Sequence, residues 1–196
     1  MGKRLTLILG GARSGKSDFA QALALKRGGG DVLFVATAQA LDGEMIARIQ
    51  NHRAARDAQW QTLEAPRAVA RALRAAPPAR LVLLDCVTFW VSNVLLADDR
   101  AADPSTAVDA SPVAEQEMLN EADELIAWYR ESEADLIVVS NEVGMGVVPP
   151  YELGRAYRDL LGAINRKIAA AADEVFWLVA GLPIEIKSRA IQLENL

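Results

Sequence analysis

The chain has 196 residues, of which 52% are hydrophobic and 24% charged, the balance of a soluble globular domain. Its net charge is −5, from 21 Lys and Arg against 26 Asp and Glu, which argues against a nucleic-acid partner. The single cysteine, Cys86, excludes an internal disulfide and a thiolate-rich zinc cluster, and it fits a reducing cytoplasm.

In chain order, short apolar runs mark strands at Leu5–Leu9, Val32–Ala36, Leu81–Leu84, Leu136–Val139 and Val175–Val179, with a weaker one at Trp60–Leu63. They are apolar throughout and do not alternate, which suits parallel strands covered on both faces. Amphipathic stretches between them predict helices at Ser17–Arg27, Gly43–Asp57, Arg67–Ala75, Phe89–Leu96, Val113–Ser132 and Tyr151–Ala171. Such alternation predicts one three-layer α/β domain over residues 1–196, with a mainly parallel central sheet. The opening apolar stretch LTLILGGA is too short to span a bilayer, so no stable membrane insertion and a cytoplasmic location are expected. The polar, breaker-rich segment Ala97–Pro112 reads as an exposed connection.

The first strand runs into Gly10-Gly11-Ala12-Arg13-Ser14-Gly15-Lys16-Ser17 and then an amphipathic helix. This is G-x-x-x-x-G-K-[ST] in the context it requires, a phosphate-binding P-loop. The glycines let backbone N–H groups wrap phosphates, and the helix N-terminus adds partial positive charge. Lys16 is expected to reach the β- and γ-phosphates, and the Ser17 hydroxyl to ligate Mg²⁺. In RLVLLDCVTFW, Asp85 ends an apolar run at the sheet edge where ligands collect, so it reads as the acidic partner of the metal. Cys86 reads as a small packing residue. No N-K-x-D accompanies the loop, and Asp85 in LDCVT has no glycine three residues on, which argues against a GTPase switch. The acid surplus argues against a DNA-dependent ATPase. Small-molecule kinases and nucleotidyl transferases are left.

The only histidine, His52, lies among Arg48, Arg53 and Arg56. On a helix it shares a face with Met45 and Ile49, while Arg48 and Arg56 flank it at i−4 and i+4. Such a face suits ordinary packing with a half-buried histidine. It also suits a nucleophile, because nearby positive charge keeps the imidazole neutral and the guanidinium groups screen a phosphate under attack. Asn141 and Glu142 follow the strand Leu136–Val139, before Gly144 and Gly146. Glu142 reads either as a base or metal organiser, or as a cap of its loop. Leu153, Ala156, Tyr157, Leu160, Leu161 and Ile164 recur at helical spacing and read as core or subunit contact. Trp60, Trp90, Trp128 and Trp177 are scattered and form no stacking platform.

Five segments in order, LGGARSGKSDFA, ATAQALDGEMIARIQNHRAAR, LLDCVTFWVSN, VVSNEVGMGVVP and INRKIAAAADEVFWLVAGLPIEIK, resemble the bifunctional adenosylcobinamide kinase / adenosylcobinamide-phosphate guanylyltransferase family of cobalamin biosynthesis. The resemblance spans Leu5–Lys187. It implies a RecA-like P-loop NTPase fold and two reactions. ATP or GTP phosphorylates adenosylcobinamide, and GTP then donates GMP to adenosylcobinamide phosphate through a histidine adduct, releasing pyrophosphate. The histidine position is His52. The resemblance further implies nucleotide contacts at Ala36, Thr37, Ala38, Arg53, Ala54, Ala55, Arg56 and Glu64 beside the loop and Asp85, and a homotrimer. On local grounds Ala36–Ala38 reads equally as a strand-to-loop turn, Glu64 as a solvated residue, and Arg53–Arg56 as a basic solvated face. Some relatives carry another histidine where this chain has Asn51. Two alternatives are a monofunctional P-loop kinase with a structural His52, and a nucleotide-sensing protein without turnover. Residues 188–196 lie beyond the resemblance.

Overall fold

The computed structural model describes residues 2–39, 43, 56–96 and 112–191. Its centre is a seven-stranded sheet: β1 (Leu5–Gly10), β2 (Val32–Ala36), β3 (Gln61–Glu64), β4 (Leu81–Asp85), β5 (Asp135–Val139), β6 (Glu174–Val179) and β7 (Leu182–Glu185). The spatial order is β3-β2-β4-β5-β1-β6-β7. The first six strands are mutually parallel, and β7 returns antiparallel to β6. The helices are α1 (Lys16–Gly28), α2 (Val69–Ala75), α3 (Val87–Leu95), α4 (Pro112–Glu131) and α5 (Glu152–Ala171), followed by a 3₁₀ turn at Lys187–Arg189.

Unbroken apolar strands bury both faces of the sheet. Leu5, Leu7, Leu33, Val35, Val82, Leu84, Leu136 and Val138 point to one side, where α2–α5 cover them with Val91, Met118, Leu125, Leu161 and Ile164. The intervening residues Ile8, Phe34, Leu81, Leu83, Ile137 and Val139 point to the other side, onto Ala20 and Ala24 of α1. This is the expected three-layer α/β arrangement.

Several element boundaries differ from expectation. Lys16, not Ser17, opens α1; Val87, not Phe89, opens α3; and Glu64 closes β3 rather than following it. Pro112 is the first residue of α4, where its missing N–H costs nothing. The helix expected over Gly43–Asp57 lies outside the described residues except at its ends. Gly43 is helical there, whereas Arg56 sits in a bend and Asp57 outside any helix. The 97–111 segment also lies outside them.

At the edge formed by the N-terminal ends of the strands, Glu174 accepts from Arg27 at 2.8 Å, from Arg4 at 2.6 Å and from Thr6 at 3.0 Å. Burial alone would raise this carboxyl, but the Arg27 guanidinium, with Thr6 and Arg4, holds it below the ordinary value. Lys3 donates to the carbonyls of Tyr129 and Arg130 at the end of α4, and Lys187 to those of Ala169 and Ala170 at the end of α5. Each ammonium satisfies carbonyls that the helix leaves open.

Candidate nucleotide site at the strand ends

Strand register fixes the edge where the candidate residues meet. Glu64 pairs with Ala36, Ala36 with Asp85, Asp85 with Val139, and Val139 with Ile8, so one row crosses five strands. The P-loop begins two residues beyond Ile8. At about 4.8 Å per strand, Asp85 stands roughly 10 Å from β1, and Glu64 roughly 19 Å.

Gly10 ends β1, Gly11–Gly15 form the loop, and Lys16 and Ser17 open α1. Gly15 caps α1 with φ 88°, a left-handed conformation that favours glycine, and no side chain caps the helix. The N–H groups of the first turn therefore face outward for an anion. A Cβ at Gly10 would stand 2.6 Å from the Leu178 carbonyl oxygen and from Ser14 Oγ, so only glycine lets β6 approach this closely. Lys16 Nζ donates to Gly11 O at 2.6 Å and lies 3.4 Å from Ser14 Oγ; Lys16 and Ser14 are both buried. The β6–β7 hairpin closes the loop from behind, with Gly181 N–H donating to Ser14 O at 3.0 Å. Ala180 and Gly181, at φ 51° and 82°, form its two-residue turn.

Asp85 closes β4 and is joined to Cys86 by a cis peptide bond. The Cys86 thiol is pushed up to about 11 by burial and by the Asp85 charge, so it is a packing group and not a nucleophile. Thr37 is fully buried. Its Oγ1 donates to Cys86 O at 2.6 Å and accepts from Cys86 N at 2.9 Å. Asn93 Nδ2 in turn donates to Thr37 O at 2.7 Å and to Pro66 O at 3.0 Å. The Thr37 hydroxyl thus holds the backbone beside Asp85.

β5 lies between the loop strand and the Asp85 strand. Its exit is fixed by Glu142 N–H to Gly10 O at 3.0 Å, Asn141 N–H to Thr88 Oγ1 at 3.2 Å, and Asn165 Nδ2 to Asn141 O at 3.0 Å. Thr88, Asn93 and Asn165 went unnoticed as site residues in the sequence. Only Asn93 carried a local hint, as the polar end of the apolar stretch that opens with Val87.

The structure therefore brings together Gly10, Gly11, Ala12, Arg13, Ser14, Gly15, Lys16, Ser17 and, two strands away, Asp85. Ala36, Thr37, Ala38 and Glu64 follow further along the same edge. Arg56 stands elsewhere, its Cζ 3.4 Å from the centroid of the Phe34 ring in the middle of β2. His52, Arg53, Ala54 and Ala55 lie outside the described residues. Among the described residues, no three His, Cys, Asp or Glu side chains converge as a metal cluster, and no helix is long and apolar enough to cross a membrane.

A parallel sheet with a phosphate loop after β1 and an acidic residue two strands away defines a P-loop nucleotide-binding protein. A solved ATPase domain shares the fold, with a TM-score of 0.51 at 13% identity over 90% of this chain and 69% of that one. Residues 6–186 match the model of the cobinamide kinase / cobinamide phosphate guanyltransferase family. The bifunctional adenosylcobalamin biosynthesis protein CobP of Pseudomonas aeruginosa is 44% identical over 94% of this chain and 98% of its own length. The corresponding CobU protein of Salmonella typhimurium is 42% identical over 93% and 99%. The chain belongs to this family of transferases.

Proposed function

We propose that this protein is a Mg²⁺-dependent bifunctional enzyme, built as one nucleotide-binding domain over residues 1–196. With ATP or GTP it phosphorylates the aminopropanol hydroxyl of adenosylcobinamide. It then transfers GMP from GTP to adenosylcobinamide phosphate through a guanylyl-histidine at His52, giving adenosylcobinamide-GDP and pyrophosphate. The observation that carries this reading is the family match over residues 6–186 on a phosphate loop whose helix has no side-chain cap.

One cradle serves both half-reactions. The loop N–H groups hold the phosphates, and Lys16 neutralises charge at their β,γ end. In the first reaction the cradle presents the γ-phosphate to an alcohol, and in the second it grips departing pyrophosphate. Ser17, in the first turn of α1, and Asp85, at the end of β4, would hold Mg²⁺ through hard oxygen, Asp85 directly or through water. The bound ion supplies neutralisation of phosphate charge. His52, kept neutral by its arginines, attacks the α-phosphorus. Ala36, Thr37, Ala38 and Glu64 lead away from Asp85 in the direction the nucleoside takes, with Glu64 accepting from guanine N–H groups. Arg53, Ala54 and Ala55 continue the same nucleotide surface from His52, whereas Arg56 packs on the Phe34 ring apart from it. The antiparallel edge strand β7 exposes Leu182 and Ile184, which supports a homo-oligomer, read as a homotrimer. The cytoplasm is the proposed location.

The test is product analysis with adenosylcobinamide, Mg²⁺ and ATP, followed by GTP. Adenosylcobinamide phosphate is expected first and adenosylcobinamide-GDP with pyrophosphate second. ATP turnover that leaves the corrinoid unmodified would contradict the reading.

A further inference from the structure

The phosphorylation step needs a group to take the acceptor's proton and a surface to hold the acceptor's body, and beyond the open reading of Glu142 neither task is assigned above. Sheet order limits where these can be. β6 and β7 lie on one side of the phosphate-loop strand, and β5 lies on the other, toward Asp85. Lys16, Ser17 and Asp85 address the β,γ end of a triphosphate, so the γ-phosphate belongs on the β5 side.

Glu142 follows β5 on that side and is fixed to the cradle through its bond to Gly10 O. Its Oε1 accepts the Gly144 N–H at 2.7 Å. This closure suits glycine, because a Cβ at 144 would stand 3.0 Å from that oxygen. No described residue donates to Oε2. Beyond Glu142 the loop exposes a run of apolar side chains: Met145 (76%), Val147 (96%), Val148 (55%) and Tyr151 (64%). Apolar groups gathered at the mouth of a phosphate cradle suit an apolar substrate body.

We infer that the 142–151 loop is the acceptor site, with Glu142 the general base and the apolar residues after it bearing the methyl-rich face of the corrinoid macrocycle. This rests on the kinase reading above. In the step, the acceptor O–H bond breaks and its proton passes to the Glu142 carboxylate. The acceptor oxygen bonds to the γ-phosphorus, and the bond from that phosphorus to the bridging oxygen breaks. Its electron pair leaves on the β-phosphate of the nucleoside diphosphate.

The experiment compares wild type, Glu142→Gln and Val147→Asp in Mg²⁺-ATP-dependent phosphorylation of adenosylcobinamide. Label retained from α-labelled GTP and mass in solution are measured alongside. Glu142→Gln is expected to lose about 10²–10⁴-fold in kcat, with the KM of both substrates and the retained label unchanged. Val147→Asp is expected to raise the KM for adenosylcobinamide about tenfold or more, with kcat, nucleotide KM, label and mass unchanged. Val147 is almost wholly exposed, so this variant stays informative if Glu142→Gln folds poorly. A Glu142→Gln kcat near wild type, or an unmoved Val147→Asp KM, would overturn the inference. So would a Val147→Asp defect that tracks a change of mass, which would make the patch a subunit contact. A wild type that neither phosphorylates the corrinoid nor retains label would overturn the inference together with the functional reading beneath it.

Discussion

A single hydroxyl, that of Thr37, bonds both the N–H and the carbonyl of Cys86, across 49 residues of sequence. The clamp is fully buried and sits on the peptide that follows Asp85. Thr37→Val keeps the shape, leaves the Cys86 N–H without a partner and leaves its carbonyl only the Trp90 N–H, at about 1–3 kcal/mol. The expected result is a lower melting temperature and a higher Mg²⁺ requirement, both largely restored in Thr37→Ser. Thermal melts and Mg²⁺ titrations of the three proteins check this. A valine variant that matches the serine one would refute the clamp.

Neighbouring glycines of the loop should respond differently to alanine. At Gly10 the added Cβ falls 2.6 Å from the Leu178 carbonyl oxygen, so β6 or the loop must shift. A loss of about 1–3 kcal/mol follows, with weaker nucleotide binding. At Gly11 nothing lies within 4 Å, and the change should cost about 0.5 kcal/mol or less. Urea denaturation and nucleotide titration of both variants test the contrast.

Glu174 predicts a pH dependence of stability that is separate from activity. Its carboxyl is held below the ordinary value in the folded chain, so it releases its proton more readily folded than unfolded. Its stabilisation is complete above the unfolded value of about 4.5 and is lost as pH falls through the lower folded value. Glu174→Gln should cost about 2 kcal/mol at pH 7, with the gap to wild type narrowing below about pH 4. Because the group lies at the edge opposite the phosphate loop, kcat and KM at pH 7 should not move. Urea denaturation at pH 7 and pH 3.5 measures the gap.

The strands most readily read from sequence were β1, β2, β4 and β5, with both faces covered, and the part-buried β6, because apolar residues run through them with Thr6 the one polar interruption. β3, with its exposed side chains, gave a weak signal displaced by one residue. β7 gave none: it is four residues long, contains Pro183, and follows an Ala-Gly turn without the usual Asn-Gly or Asp-Gly signal. The phosphate loop and Asp85 were legible because their chemistry is local. The support for the site was not. Thr88 meets Asn141 across 53 residues, and Asn93 meets Thr37 across 56, distances at which no periodicity reports contact. Lys187, at the end of the family-like region, proves to hold the carbonyls that close α5.

Under the proposed function, His52 carries GMP while the loop holds the pyrophosphate. The direct measurement is covalent label after denaturation of wild type and His52→Ala incubated with Mg²⁺ and GTP labelled at either the α- or the γ-phosphate. Acid-labile α-label without γ-label is expected on wild type, none on His52→Ala, and retained corrinoid phosphorylation by that variant. Undiminished α-label on His52→Ala, or γ-label on wild type, would contradict the role of His52.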